Sequence, residues 1–375
     1  MLSAVPAGRM TVAVVCGNLE PTIGGGSSLC QSLLDGLLKI LPTIHERRFL
    51  LFSKAKKVPD KYASLKMISY KEENLNKKIK KNACDLVWFM SGGGFPEPAE
   101  IPYIATIWDL QHRQLPFLPE IQQNREWEYR EEKSVPFIGQ ATRLIVGTER
   151  GKEEVCRNYG VDPARIRIVP LPLTAEPGTP KSGKPKNKKE PFLFYPAQFW
   201  PHKNHVVLIK ALHLLRGKNI PIRLVCPGDD KGNLQKIRSW VKRLELGDAV
   251  EFPGFLSDGE IQDLYSQALA LVFPSLAGPD NLPPLEAMAS GCPVVQAALE
   301  GPQEQLGEAA FYADPFRPEA WAAIIEKPLK TEFQTEVIRK KEKGRELVQK
   351  RTPAEYLRKI LDIVDELGPI VDLWK

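Results

Sequence analysis

Three stretches carry residue types at spacings that could do chemistry. The richest runs from Pro274 to Pro293 and reads PSLAGPDNLPPLEAMASGCP, which joins a strand end, a tight polar loop and a helix start. Pro283 and Pro284 suit a first helical turn, where a missing N–H costs little. Glu286 beside them reads as a first-turn carboxylate steadied by the helix dipole. It also reads as an acceptor for two ribose hydroxyls, with backbone amides around Gly278, Asp280, Asn281 and Leu282 facing a sugar or a phosphate. The second stretch, Gln198 to His205, places Lys203 at an expected helix start, where a cation opposes the dipole unless an anion lies between them. Lys203 would then neutralise a diphosphate; the plain alternative is a lysine that snorkels into solvent. The third, Gly24, Gly25, Gly26 and Ser27, would let backbone amides approach an anion. Its spacing fits neither the dinucleotide fingerprint nor a Walker loop, and a simple tight turn is the competing reading.

Strand-to-helix loops must hold these groups, and the chain supplies the elements. Apolar runs at Thr11 to Cys16, Phe49 to Ser53, Leu86 to Met90, Tyr103 to Trp108, Leu144 to Gly147 and Ile166 to Val169 alternate with helical patterns, which predicts a parallel, doubly wound sheet. Leu29, Leu33, Leu37 and Leu41 mark the helix packing back on the first strand. The alternation stops in a Pro/Gly/Lys-rich stretch and restarts with Phe192 to Ala197, Arg223 to Cys226, Val250 to Phe252, Leu271 to Phe273 and Val294 to Ala297. Two Rossmann-like units in tandem follow. The predicted organisation is an N-terminal domain over 1–172, a basic linker over 173–190, a C-terminal domain over 191–350 and a terminal helix over 351–375 that crosses back to the first domain. Ser257 with Glu260 has capping-box spacing, and Thr352, Pro353 and Glu355 start the terminal helix. Ligands of such sheets bind beyond the carboxyl ends of the strands, where the three stretches lie.

At 375 residues the chain favours two cores over one. No segment supplies the roughly 20 apolar residues a membrane span needs, and the N-terminus has too short an apolar stretch for a secretory signal. Six scattered cysteines without a C-x-x-C pair predict reduced core residues and a cytoplasmic protein. The formal charge is +6, and Lys181, Lys184, Lys186, Lys188 and Lys189 account for most of the excess. That cluster reads as a solvated linker or, more sharply, as peripheral contact with anionic lipid at the inner face of a membrane; nucleic acid is not expected as a partner. Metal-ligand spacing is absent, and Asp229 with Asp230 reads as a loop after a strand.

Together these stretches resemble glycosyltransferase family 4, the retaining GT-B enzymes. PSLAGPDNLPPLEAMASGCPVV is similar to that family's nucleotide-sugar loop, AQFWPHKNH to its phosphate-binding lysine loop, and ARIRIVPLP to its interdomain crossing. The resemblance is close over Phe192 to Pro315 and loose before it. It implies a GT-B fold, two Rossmann-like domains facing across a cleft, and metal-independent transfer of a hexose with retention. It implies no cofactor: the substrate would be a nucleotide-diphosphate sugar, a UDP- or GDP-sugar ahead of others, and the acceptor a saccharide or lipid-linked glycan. Lys203 matches the lysine on the donor phosphate and Glu286 the ribose-binding glutamate, with Gln198, His202, Gly25 and Gly26 as further donor-side candidates. Asp109 in TIWDLQHR falls where many members carry a His-Asp pair facing the acceptor. The pattern departs in three places: Gln198 replaces an arginine, Gly278 replaces the first glutamate, and Trp108 replaces the histidine, for which His112 is the candidate substitute. The missing arginine and glutamate keep open a non-catalytic nucleotide-sugar-binding or scaffolding protein, and an epimerase or phosphorylase would share the GT-B architecture.

Overall fold

The computed structural model describes residues 10–17, 19, 25–44, 46–55, 60–62, 65–92, 94–173 and 191–375. One sheet orders seven strands as β3-β2-β1-β4-β5-β6-β7. They are β1 Met10–Cys16, β2 Arg47–Ser53, β3 Met67–Ser69, β4 Leu86–Phe89, β5 Tyr103–Thr106, β6 Arg143–Val146 and β7 Ile166–Ile168. The other orders six strands as β10-β9-β8-β11-β12-β13. These are β8 Phe192–Phe194, β9 Arg223–Val225, β10 Val250–Glu251, β11 Ala270–Phe273, β12 Val294–Ala297 and β13 Phe311–Ala313. Every pairing is parallel. Helices cover both faces of such sheets, so central strands read as unbroken apolar runs; LVWF of β4 is buried at all four positions.

Several ladders are shorter than the apolar runs that announce them. Of the run Phe192 to Ala197 only the first three residues are laddered as β8, and the remainder carries the chain into a loop. Two strands lie outside the runs singled out in the sequence, β3 and β13, each three residues long at a sheet edge, too short to show a period.

By contacts the chain divides into two compact units, Met1–Arg113 with Arg125–Thr174 and Thr352–Lys375, and Gln114–Asn124 with Ala175–Arg351. In the first, Phe89, Tyr103 and Phe137 pack ring to ring at 5.0–5.6 Å in the sheet core. The terminal helix Pro353–Glu366 belongs here, its start held by Thr352 Oγ1 accepting from Glu355 N. It lies close against the helix Gly25–Ile40, for a Cβ on Gly36 would stand 2.8 Å from Leu357 Cδ1. Its end is pinned by Glu366, whose carboxylate takes hydrogen bonds from Arg143 and Arg167. In the second unit the helix Asp258–Gln267 starts with the reciprocal Ser257–Glu260 capping box. Five of the six cysteines are buried as free thiols and Cys156 is half-buried. No helix among the described residues is long and apolar enough to cross a membrane. Gly24 and the basic cluster 181–189 lie outside the described residues.

Candidate active site

In the second unit, two loops at the carboxyl ends of β8 and β11 are stitched together. Pro201–Lys203 forms a single 3-10 turn, Asn204 adopts the left-handed conformation at φ 53°, and the helix His205–Gly217 follows. Lys203 therefore stands just ahead of the helix rather than at its first residue. The turn is anchored from below by Tyr195 Oη donating to Lys203 O at 2.7 Å. It is anchored from the side by Leu276 N donating to His202 O at 2.8 Å and by Asn204 Nδ2 donating to Pro315 O at 2.7 Å. Lys203 Nζ donates to Ser275 Oγ at 3.3 Å and lies 5.4 Å from the Phe273 ring centroid. Ser275, 1% exposed, passes its own hydrogen to Ala277 O at 3.0 Å. The cation is thus held where the loop leaves β11.

The helix Leu282–Ala289 corrects the expectation for Glu286. It begins at Leu282 and has no acidic residue in its first turn, so Glu286 lies one turn further in. What fixes the carboxylate is Tyr265, whose Oη donates to Glu286 Oε2 at 3.0 Å. Burial above all, and then the Glu286 charge, push the Tyr265 hydroxyl well above its ordinary range, so it stays a donor. Of the first three helical residues only Leu282 has an N–H, because the next two are prolines.

Between Ser275 and Leu282 the loop is internally braced. Gly278 sits at φ 93° and accepts through its carbonyl from Asn281 Nδ2 at 3.1 Å. The backbone of Asn281 is gripped by one side chain: Asn281 N donates to Gln305 Oε1 at 3.0 Å and Gln305 Nε2 donates to Asn281 O at 2.9 Å. Asp280 is 8% exposed. The Arg351 guanidinium is drawn below its ordinary range by burial, and the Asp280 and Glu304 carboxylates oppose that effect.

The flanking candidates have local partners. Gln198 Oε1 accepts from Trp200 Nε1 at 3.1 Å. His202 bonds Glu120 Oε1 through its backbone N at 3.0 Å and its ring Nδ1 at 2.9 Å. Burial would raise Glu120, but hydrogen bonds from the His202 ring and from backbone hold it below the usual carboxylate range. Since a carboxylate only accepts, Nδ1 of His202 carries the hydrogen. Asp230, in the next loop, accepts from Gly232 N, Asn233 N and Leu234 N and so caps the helix Leu234–Arg243.

In the first unit, Gly25 and Gly26 open the helix Gly25–Ile40, and a Cβ on Gly26 would stand 2.6 Å from the Trp108 ring. Trp108 therefore packs directly against the start of this helix. Asp109 Oδ1 accepts from Gln111 N at 3.0 Å, which fixes the following turn. His112 is 1% exposed, and its Nε2 faces Glu131 Oε1 at 2.8 Å and Tyr159 Oη at 3.1 Å. Arg113 Nε donates to the same Glu131 oxygen at 2.7 Å, and Tyr159 Oη pairs with Ser134 Oγ at 2.9 Å. Burial holds His112 below its ordinary pKa against the pull of Glu131. The imidazole is thus buried between the Glu131 carboxylate and the Tyr159 hydroxyl.

Lysine, glutamate and glycine were legible as types. Ser275, Tyr265, Glu120 and Gln305 were not, because nothing in local spacing marks a side chain that acts on a loop 21 to 82 residues away.

Residues 180–347 match the family of group 1 glycosyl transferases. The O-antigen chain mannosyltransferase RfbU of Salmonella typhimurium is 32% identical over 174 residues, which cover 46% of this chain and 47% of that protein. The chain thus spans about half the length of that curated relative. Among solved structures, sucrose-phosphate synthase from Thermosynechococcus elongatus superposes with a TM-score of 0.76 at 19% identity, over 96% of this chain and 100% of that one. Anabaena HepE in complex with UDP-glucose superposes with a TM-score of 0.71 at 16% identity, again over 96% and 100%. The fold is GT-B, with parallel sheets of seven and six strands.

Proposed function

We propose that this chain is a glycosyltransferase that moves a hexose from a nucleotide-diphosphate donor, UDP- or GDP-linked, to a saccharide or lipid-linked acceptor with retention of configuration. The observation that carries the reading is the fixed position of Lys203. Its Nζ is bonded to Ser275 Oγ at 3.3 Å while its turn is tied to the next loop through Leu276 N and His202 O. As the bond to the sugar breaks, negative charge grows on the departing diphosphate, and a cation already in place stabilises that charge without reorganising. Lys203 meets it with the Leu282 end of the helix, and no metal is assigned to the step. Glu286, oriented by Tyr265, receives the ribose hydroxyls. In the first unit, Asp109 is the proposed acceptor-facing carboxylate, with His112 held three residues on by Glu131 and Tyr159. The match of 180–347 to group 1 glycosyl transferases and the likeness to an O-antigen chain mannosyltransferase support the assignment.

Turnover separates this reading from a nucleotide-sugar-binding scaffold. Purified protein is incubated with UDP-glucose, UDP-galactose or GDP-mannose and a saccharide- and lipid-containing extract, and released nucleotide diphosphate is followed. Release from one donor is expected, slowed on the order of 10²–10³-fold in Lys203→Ala. Binding without release from any donor would assign the chain to the scaffold class.

A further inference from the structure

The loop that carries Asp280 and Asn281 is backed by the short helix Glu300–Leu306, which touches it twice. Gly301 lies against Pro279 so closely that a Cβ there would stand 2.5 Å from Pro279 Cα. One helical turn on, Gln305, 2% exposed, grips both backbone groups of Asn281. Among side chains of this length a primary amide is suited to that grip, because it offers one acceptor and one donor, side by side, to the N–H and C=O of a single residue. Glutamate would set a carboxylate oxygen against the Asn281 carbonyl, and methionine or leucine would remove both bonds to these groups.

The consequence falls on the neighbouring peptide. A trans peptide holds its C=O and N–H in one plane, pointing in opposite directions, and the carbonyl of Asn281 shares its plane with the amide of Leu282. A bond from Gln305 Nε2 to Asn281 O therefore turns the Leu282 N–H away from the Glu300–Leu306 helix. That N–H is the only one in the first three residues of the helix, since Pro283 and Pro284 have none. An ordinary helix end offers several amides to an anion, and this one leaves anion contact to an amide whose direction is set from outside.

We propose that Gln305 is a positioning residue that aims the Leu282 amide at the diphosphate of the donor. The proposal rests on the glycosyltransferase reading above. It makes the contribution of the second phosphate to binding dependent on Gln305, while the nucleoside end, held at Glu286, is indifferent to it.

The test is calorimetric titration of UMP, UDP, GMP and GDP into wild type, Gln305→Met and Gln305→Glu, with thermal melting of each protein. Methionine keeps length and shape; glutamate changes one atom, so a folded variant is available if either fails. Wild type should bind one diphosphate more tightly than its monophosphate. Either folded variant should lose about tenfold or more of that diphosphate preference, the size of a misdirected hydrogen bond to a charged group, with monophosphate affinity unchanged. Equal weakening of both nucleotides, or none of either, would overturn the assignment and leave Gln305 a stabilising residue only. Wild type that binds none of the four nucleotides would overturn the underlying reading as well, an outcome distinct from the other two.

Discussion

Gly278 shows how one backbone position shapes the loop around it. At φ 93° it occupies backbone space that side-chain-bearing residues rarely adopt, and a Cβ there would stand 3.0 Å from Asn281 Oδ1. A side chain at this position would have to displace the Asn281 amide that braces the loop here, so Gly278 and Asn281 act as one unit. Gly278→Ala should lower stability by about 1–2 kcal/mol, the usual cost of left-handed backbone for an L-residue, and weaken nucleotide-sugar binding. Gly278→Glu, which places there the residue the resemblance leads one to expect, should bind worse still. Chemical denaturation and titration with UDP-glucose or GDP-mannose measure both, and tighter binding by the glutamate variant would contradict the argument. At this scale the sequence marked the candidate ligand-binding residues by their chemistry. It did not disclose those that hold them, because Tyr265 looks like one more apolar position of an amphipathic helix and Gln305 like any polar residue of a short one.

At the scale of elements, parallel strands and their order of appearance were legible because buried strands are apolar throughout. Helix starts were less so. Two prolines marked the Leu282 helix correctly, yet the expectation that Glu286 lies in its first turn failed, since the first helical residue precedes both prolines. The start of the His205–Gly217 helix carries a different signal. His205 is 1% exposed between the rings of Tyr195 and Phe199, at 4.6 and 4.9 Å, and neither ring nitrogen has a hydrogen-bond partner among the described residues. Burial, with the Lys203 and His202 charges, depresses its pKa from 6.5 to about 3. The unfolded chain takes up this proton below pH 6.5 while the folded chain resists it, so stability is full above 6.5 and falls as the pH drops toward 3. The loss approaches tenfold in the folding equilibrium per pH unit in that window. His205→Phe should flatten this acid dependence, read as urea midpoints at pH 7 and pH 5 by circular dichroism. An unchanged slope would show that His205 is not the group responsible.

For the molecule as a whole, the division into units is more interleaved than a linear reading of sequence implies. The residues Gln114–Asn124 belong with the second unit, and the chain returns to the first at Arg125, where Asn124 and Arg125 both take the left-handed conformation at φ 57°. Within the second unit that short visit supplies Glu120 to His202, so the turn that carries Lys203 is braced by a segment from the N-terminal half of the sequence. Spacing along the chain does not encode such a partner; it follows from topology. If Lys203 and Glu286 lie in one nucleotide-diphosphate site, calorimetric titration of UDP, GDP, dTDP and ADP into wild type, Lys203→Ala and Glu286→Ala will show it. One nucleotide should bind wild type, and both variants should lose at least tenfold in affinity while melting as folded proteins, as removal of a charge-assisted contact requires. Undiminished binding by either folded variant, or no binding by wild type, would contradict it.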